Sequence, residues 1–480
     1  MTAPGFTRKI KPLDLLSEDQ IQEIHRASLD ILRQTGVTFA NEWALQFLEK
    51  NGCIVDYEQH RVRFPEGLVE ACLRQAPSSF RLRARNPKHD LILGGNTVHY
   101  SQSAGMQTID LDTFEPRPPS RQDYIECITV LDQLPTVSHL SCYPYFGYQG
   151  VSPDMAILES IAMKMRFSSK HQFTCYSKGS EVFTIQMAQA VGVEVTGTIT
   201  ASPPLTWDEN AVNVARRMVE AGFPVATVDG YTLGGTGPAT VAGTVAVSNA
   251  QHLSMIVLVQ LLHPGHPISV GHFACPMNMA SGSPIFGEIC SSLSNAMWNQ
   301  MWRWYGVPRG NGSPGYVSSK LMDYQAGYEK AVAALIAAQS GANYILLHLG
   351  VSGELTAHPV QAILDNDLAG MIGRFIQGEE VNAETIALEL IEEVGPIPGH
   401  YLNRAHTRQW WKREQFIPQC ADRLTYPDWL NTGKRSALDY ARKRFEEIIA
   451  THRPELPSDS QDEAIERVLE DARAHYRNHK

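Results

Sequence analysis

The sequence lacks the features that mark several common classes of protein. None of its eight cysteines forms a CxxC pair, so we expect all of them, Cys142 and Cys175 included, to be free thiols. The longest apolar run, at residues 254–262, is far shorter than the roughly 18 residues of a membrane helix. The N-terminus has no apolar signal core. These absences predict a cytoplasmic protein without a membrane segment.

Positive charge is also scarce. The chain has 41 Lys and Arg residues against 51 Asp and Glu residues, for a formal net charge of -10. Nucleic acid is therefore not expected as a partner, because phosphate binding needs a basic surface. The apolar fraction of 43% is that of a folded chain with an ordinary core.

Phosphate-binding loops are missing as well, and this bears on the fold. The first predicted strand of the central region is followed by SQSAGM at residues 101–106, which is neither GxGxxG nor GxxxxGK[ST]. An open doubly wound sheet, the alternative fold, usually carries such a loop. Strand and helix patterns alternate eight times between residues 96 and 378, which predicts an α/β fold of the TIM (β/α)8 barrel type. The predicted strands are 97–101, 137–143, 172–176, 197–201, 225–229, 268–273, 307–311 and 344–348.

Two extensions flank the predicted barrel of residues 96–378. Residues 1–95 read as an accessory helical region, with helices at 17–35, 43–50 and 65–75. Residues 81–85 alternate in a way that is typical of an exposed strand. Residues 379–480 read as a helical extension that ends in a charged helix at 463–479.

In a TIM barrel the active site lies at the carboxyl ends of the strands. Aromatic and polar side chains are frequent there, and aromatic faces bind quaternary ammonium groups through cation–π attraction. We therefore expect a substrate-binding site without a catalytic acid or base. Its candidate residues are Tyr100, Gln102, Tyr143, Tyr145, Asp229, Tyr231, Phe273, Arg309, Asn311 and His348.

Arg309 has two interpretations. A guanidinium near a strand end pairs either with a carboxylate such as Asp229 or with the carboxylate of a substrate. In the second case His348 would help to hold that carboxylate. Asp229 could instead face a cationic substrate.

Other chemistries find little support. His272 and Cys275 are close in sequence, but no third ligand stands at a supporting spacing, so we expect no metal site. A GxSxG elbow and paired carboxylates at two strand ends are both missing. A metal-dependent TIM-barrel hydrolase is the remaining rival from another class.

Four segments carry a resemblance to a known family. They are VDGYTLGG with PATVAG (228–243), MNMASGSP (277–284), WYGVPRGNG to SSKLMDYQAGYEKA (304–331), and HYLNRAHT to WWKREQFIPQ (400–419). The chain resembles the trimethylamine methyltransferase family of corrinoid-dependent enzymes. The resemblance implies a TIM barrel that moves a methyl group from an amine to cobalt. It also implies that the corrinoid is carried by a separate, transiently docking protein, with no cofactor bound by this chain.

Founding members of the family carry pyrrolysine just before the DxQAGYE motif, whereas this chain has GYVSSK at residues 315–320. A mechanism that depends on pyrrolysine therefore cannot be transferred. A quaternary ammonium needs no such activation, because its amine leaves neutral once the methyl group is removed. The sequence thus predicts a small quaternary amine as substrate, with glycine betaine first and carnitine or proline betaine as alternatives. A quaternary-amine binding protein without turnover is a further alternative, and we expect a homo-oligomer.

Overall fold

A computed structural model describes residues 4–478 and has eight parallel strands at its centre. They run in chain order around the sheet, and a bridge between Tyr100 and Val137 joins the first strand to the second. The sheet therefore closes into the predicted barrel. The strands are β1 (Thr97–Gln102), β2 (His139–Leu140), β3 (His171–Thr174), β4 (Val195–Thr200), β5 (Val225–Val228), β6 (Ile268–His272), β7 (Arg309–Asn311) and β8 (Tyr344–His348).

A helix follows each strand and packs outside the barrel, as right-handed crossovers between parallel strands require. All eight predicted helices are confirmed to within a few residues. They are α1 (Arg121–Gln133), α2 (Ala156–Phe167), α3 (Ser180–Val191), α4 (Glu209–Glu220), α5 (Val241–Leu262), α6 (Ile289–Trp304), α7 (Tyr324–Ser340) and α8 (Pro359–Ile376). Helix α5 is long and apolar enough to cross a membrane by length and composition, but 83% of its apolar window is buried, as in a core helix.

The N-terminal extension contains strands that the sequence patterns did not predict. Its helices at Glu18–Asp30, Glu42–Lys50 and Glu66–Gln75 were expected. Three short strands also form a sheet with Thr206–Trp207 from the barrel, namely Val37–Phe39, Ile54–Asp56 and Arg61–Arg63. Each has only three residues, too few for an alternating pattern to stand out.

A hairpin of Ser79–Leu82 and Leu91–Gly94 closes the N-terminal end of the barrel. Its Leu82, Leu91 and Leu93 are buried and pack with Phe173 and Tyr344 of the barrel strands. The hairpin thus covers the barrel interior at this end.

The C-terminal extension is helical, as predicted. Its helices are Ala383–Ile386, Leu388–Val394, Ala405–Glu414, Tyr426–Asn431, Ala437–Thr451 and Asp459–Asn478. Residue 479, which the sequence placed in the last helix, lies outside the described residues. That helix packs on α2 and α3, and its Arg473 bonds Glu159 at 2.6 Å.

One expectation about the cysteines is wrong. Cys142 and Cys175 form a disulfide, with their Cα atoms 4.9 Å apart. They follow the neighbouring strands β2 and β3, whose ends lie side by side, and a separation of 33 residues in sequence hides this proximity. The other six cysteines are free thiols.

Candidate active site

A cavity of about 470 Å³ opens at the carboxyl end of the barrel. Each of the eight strands, or the loop that follows it, contributes to its wall, from Ala104 after β1 to Glu354 after β8. This volume lies within the usual range for a small-molecule site. A groove of about 720 Å³ beside Arg374 and Phe416 is larger, but it lies outside the ring of strand ends.

Three aromatic rings form a cluster on one wall of the cavity. The ring centroids of Phe273 and Tyr316 are 5.3 Å apart, those of Phe273 and Phe286 are 6.1 Å apart, and those of Phe286 and Tyr316 are 6.0 Å apart. We call these residues the ring cluster. Tyr143 lines the same cavity. Ring faces at this spacing can surround a methylated ammonium group.

Glu354 brings a carboxylate to this wall. It lies in the turn between the short strands Gly350–Val351 and Thr356–Ala357, and its backbone oxygen accepts a hydrogen bond from the amide of Met106 at 3.1 Å. Next to it, the Gly353 amide donates to the Val317 oxygen at 2.6 Å. The turn is therefore anchored on both sides of the cavity mouth.

The Glu354 side chain has no hydrogen bond or salt bridge to any residue between 4 and 478. Partial burial raises the pKa of its carboxyl group. Burial and the nearby Glu354 charge both raise the pKa of Tyr143 and of Tyr316. No Lys or Arg lines the cavity, so the charge at its mouth is negative and suits a cation.

Asp229 borders the cavity, but its carboxylate is directed toward the surrounding helices. It lies 3.0 Å from Nδ1 of His272 and 3.2 Å from Nε2 of His252, and it accepts hydrogen bonds from the Ser248 hydroxyl and the Phe273 amide. Burial alone would raise the pKa of Asp229, but the two imidazoles outweigh it and the pKa lies far below its usual range. Asp229 thus fixes the backbone of Phe273 in the ring cluster.

The structure brings Tyr143, Asp229 and Phe273 to the cavity and places the other seven sequence candidates elsewhere. Tyr100 packs against Phe6 outside the barrel, and Tyr145 packs under α1 against Tyr124. The Tyr231 hydroxyl bonds Gln251 on α5, and the Gln102 side chain accepts from the Ser141 amide. Strand side chains alternate between two faces, so an error of one position reverses the side on which a residue lies.

Arg309 lies at the start of β7, near the closed end of the barrel. Its guanidinium donates to the Val307 oxygen at 3.1 Å, and its electrostatic neighbours are Arg8 and Arg303. The expectation that Arg309 pairs with Asp229 is therefore wrong, because the two residues lie at different ends of their strands.

His348 and Asn311 also face away from the cavity. His348 bonds the Thr136 hydroxyl at 3.0 Å and the Ser101 oxygen at 3.3 Å. Asn311 bonds Asn299 of α6 at 2.7 Å. Neither Arg309 nor His348 can hold a substrate carboxylate in this cavity, since neither is among its lining residues.

Sequence reasoning missed most of the lining residues, among them Phe286, Tyr316, Glu354, His139 and Thr198. Tyr316 belongs to the GYVSSK segment that the family resemblance had singled out, so that segment was a usable signal. Phe286 and Glu354 lie in loops, where no periodic pattern marks an inward side chain. Within residues 4–478, no group of three or more His, Cys, Asp or Glu residues could hold a metal ion.

Comparisons with known proteins identify the family of the chain. The family model described as trimethylamine methyltransferase matches residues 1–474. The glycine betaine methyltransferase of Desulfitobacterium hafniense is 31% identical over 454 residues, covering 92% of this chain and 93% of that protein. A trimethylamine methyltransferase MttB of the same species is 28% identical over 449 residues, covering 90% and 88%.

Among solved structures, the monomethylamine methyltransferase of Methanosarcina barkeri has a TM-score of 0.51 at 14% identity, covering 91% of this chain and 89% of that chain. That likeness shows the fold alone. The family match, by contrast, spans nearly the whole sequence. The chain is a methyltransferase and belongs to the trimethylamine methyltransferase family.

Proposed function

We propose that this enzyme transfers a methyl group from a small quaternary amine to the Co(I) centre of a separate corrinoid protein. Glycine betaine is the favoured substrate. The observation that carries the proposal is the ring cluster beside the unpaired Glu354 carboxylate, in a cavity without Lys or Arg. Such a wall favours a permanent cation that offers no N–H donors. The similarity to the glycine betaine methyltransferase supports the same substrate.

The step needs no general acid. The electron pair of Co(I) forms a bond to the methyl carbon while the C–N bond breaks, and its electrons stay on nitrogen. Cobalt is formally oxidised from +1 to +3, and the product leaves as dimethylglycinate, whose amine nitrogen is neutral and whose carboxylate keeps its negative charge. The role of the protein is to align one N–CH₃ bond with the cobalt that enters through the cavity mouth.

The proposal includes the partner and the location of the enzyme. The corrinoid stays on its own protein, so this chain holds no resident cofactor. The proposed location of the enzyme is the cytoplasm. We also propose a homo-oligomer, since the C-terminal extension exposes large apolar side chains such as Ile397 at 93% and Leu402 at 84%. Burial of such side chains in a subunit contact would be favourable.

The test is a spectroscopic assay with a corrinoid protein reduced to Co(I). Glycine betaine, carnitine, proline betaine and trimethylamine are each added with the enzyme, and absorbance follows the loss of Co(I). We expect glycine betaine to give the fastest conversion and trimethylamine to give none above background. Conversion with trimethylamine alone would contradict the proposal. Tight binding of betaine without any conversion would support the binding protein instead.

A further inference from the structure

The closed end of the cavity contains polar groups that have no partner. Both ring nitrogens of His139 and the hydroxyl of Thr198 are buried and lack a hydrogen bond to any residue between 4 and 478. His139 is 1% exposed and Thr198 is 4% exposed, and both line the cavity. A buried polar group without a partner costs about 1–3 kcal/mol, so a ligand that bonds these groups would be favoured.

The position of His139 along the barrel axis follows from its neighbours. Its ring centroid lies 4.7 Å from that of Phe173 and 6.2 Å from that of Tyr344. Those two rings pack on the hairpin that seals the N-terminal end. His139 therefore lies at the inner end of the cavity, whereas Glu354 and the ring cluster lie after the strand ends at its mouth.

Two buried lysines lie behind this inner end. Burial lowers the pKa of Lys164 to about 7 and that of Lys170 to about 8, so together they supply a partial positive charge at neutral pH. Lys164 donates to the backbone oxygens of Ser141 at 2.7 Å and Phe173 at 2.9 Å, and both of these residues line the cavity. Lys170 donates to the Leu131 oxygen at 2.9 Å. Neither lysine forms a salt bridge within the described chain. Burial, then the imidazoles of His99 and His171, and last these two lysines hold the pKa of His139 well below its usual value.

The inner end of the cavity thus holds unpartnered polar groups with a partial positive charge behind them, whereas its mouth carries the Glu354 carboxylate. We infer that its inner end is a carboxylate subsite, in which a ring N–H of His139 and the hydroxyl of Thr198 donate to the carboxylate of a zwitterionic amine. The methylated nitrogen then lies against the ring cluster near Glu354, with a methyl group directed toward the mouth. This inference rests on the proposed function and deepens it, because it names betaines rather than simple tetraalkylammonium ions as the substrate class.

Three ligands test the two charges of a betaine independently. Glycine betaine carries both, tetramethylammonium carries only the cation, and 3,3-dimethylbutyrate has the same shape as betaine with a neutral carbon in place of nitrogen. Binding of each is measured by calorimetry to the wild type and to Thr198→Val, His139→Leu and Glu354→Gln. Glu58→Gln is the control, because Glu58 is exposed, is not among the residues that line the cavity, and its replacement changes the net charge equally.

We expect Thr198→Val and His139→Leu to weaken the binding of glycine betaine and 3,3-dimethylbutyrate about tenfold, since charge-assisted hydrogen bonds are lost. Binding of tetramethylammonium should change less than twofold. Glu354→Gln should give the reverse pattern, weakening the two cations and not 3,3-dimethylbutyrate. Thr198→Val is nearly isosteric, so it keeps the test valid if His139→Leu does not fold.

Equal effects of Thr198→Val on all three ligands, or no effect on any, would overturn the inference. A loss confined to tetramethylammonium would overturn it too, because it would reverse the orientation of the substrate. The Co(I) assay on the wild type separates this failure from failure of the proposed function. If betaine methylates cobalt while Thr198→Val binds betaine normally, only the inference fails; if the wild type neither binds nor demethylates betaine, both fail.

Discussion

At the scale of single residues, the ring cluster is where the cavity distinguishes a methylated cation from other small molecules. Replacing Phe273 by Leu keeps apolar volume but removes one ring face. A desolvated cation–π contact contributes about 2 kcal/mol, so we expect kcat/KM for glycine betaine to fall by about tenfold or more. Phe47→Leu, in the N-terminal extension, should leave kcat/KM unchanged. Equal activity of Phe273→Leu and the wild type would show that the ring does not contact the substrate.

Asp229 predicts a pH dependence of stability. Its pKa in the folded protein lies below the ordinary value of about 4, so its stabilising contribution is complete above about pH 4 and declines as the pH falls below that value. Asp229→Asn should lower the free energy of unfolding by about 1–3 kcal/mol at pH 7, because it removes the charged acceptor of a buried hydrogen-bond network. Urea denaturation from pH 7 to pH 3 should show this difference shrinking. A difference that stays constant or grows with acid would contradict the account of Asp229.

The identity of lining residues was only partly predictable. The sequence predicted an aromatic site at the strand ends, and Phe273 and Tyr143 do line the cavity. Tyr100 and Tyr145 do not, because the side on which a strand residue lies depends on a register that one sequence does not fix. His139 was not among the candidates, because it is the first residue of its strand and the candidates were residues at strand ends.

At the scale of elements, the hairpin at Ser79–Leu82 and Leu91–Gly94 is the least expected contribution to the site. It comes from the N-terminal extension, yet it forms the floor beneath Phe173 and Tyr344. The sequence showed an exposed strand near residue 81 and gave no indication of what it covers. The eight barrel strands and helices, in contrast, were predictable. Short apolar runs alternate there with long amphipathic runs, and both patterns are visible in consecutive residues of the sequence.

The hairpin supports a stability test with a neighbouring control. Leu93 is fully buried against the barrel floor, whereas Ile92 on the opposite face is 47% exposed. Leu93→Ala should lower the free energy of unfolding by about 2–5 kcal/mol, as deletion of a buried leucine side chain does. Ile92→Ala should lower the free energy of unfolding by well under half of that amount. The free energies of unfolding are measured by urea denaturation. Equal losses in Leu93→Ala and Ile92→Ala would mean that the hairpin does not pack on the barrel.

At the scale of the whole molecule, exposed apolar side chains surround the cavity mouth. Met279 is 79% exposed, Leu355 48% and Met106 45%, and each lies in a loop after a different strand. Together with the barrel opening, these side chains offer a surface on which a corrinoid protein could deliver its cobalt. Because cobalt must enter and leave in each cycle, we expect weak docking, with a Kd in the micromolar range.

Met279→Glu tests this surface. A charge at the centre of an apolar contact should raise KM for the corrinoid protein by about tenfold while the Kd for glycine betaine stays unchanged. Ile92→Glu, on the hairpin at the closed end of the barrel, is the control for added charge on an exposed apolar residue. If both variants raise KM for the corrinoid protein alike, docking does not take place at the mouth.

The central claim is the transfer of one methyl group from a quaternary amine to cobalt. Glycine betaine labelled with ¹³C in its N-methyl groups, incubated with the enzyme and a stoichiometric Co(I) corrinoid protein, tests it most directly. The account predicts equal amounts of dimethylglycine and labelled methylcobalt by mass spectrometry, with no further demethylation of dimethylglycine. Unchanged betaine with unlabelled cobalt, under conditions where betaine is bound, would contradict it.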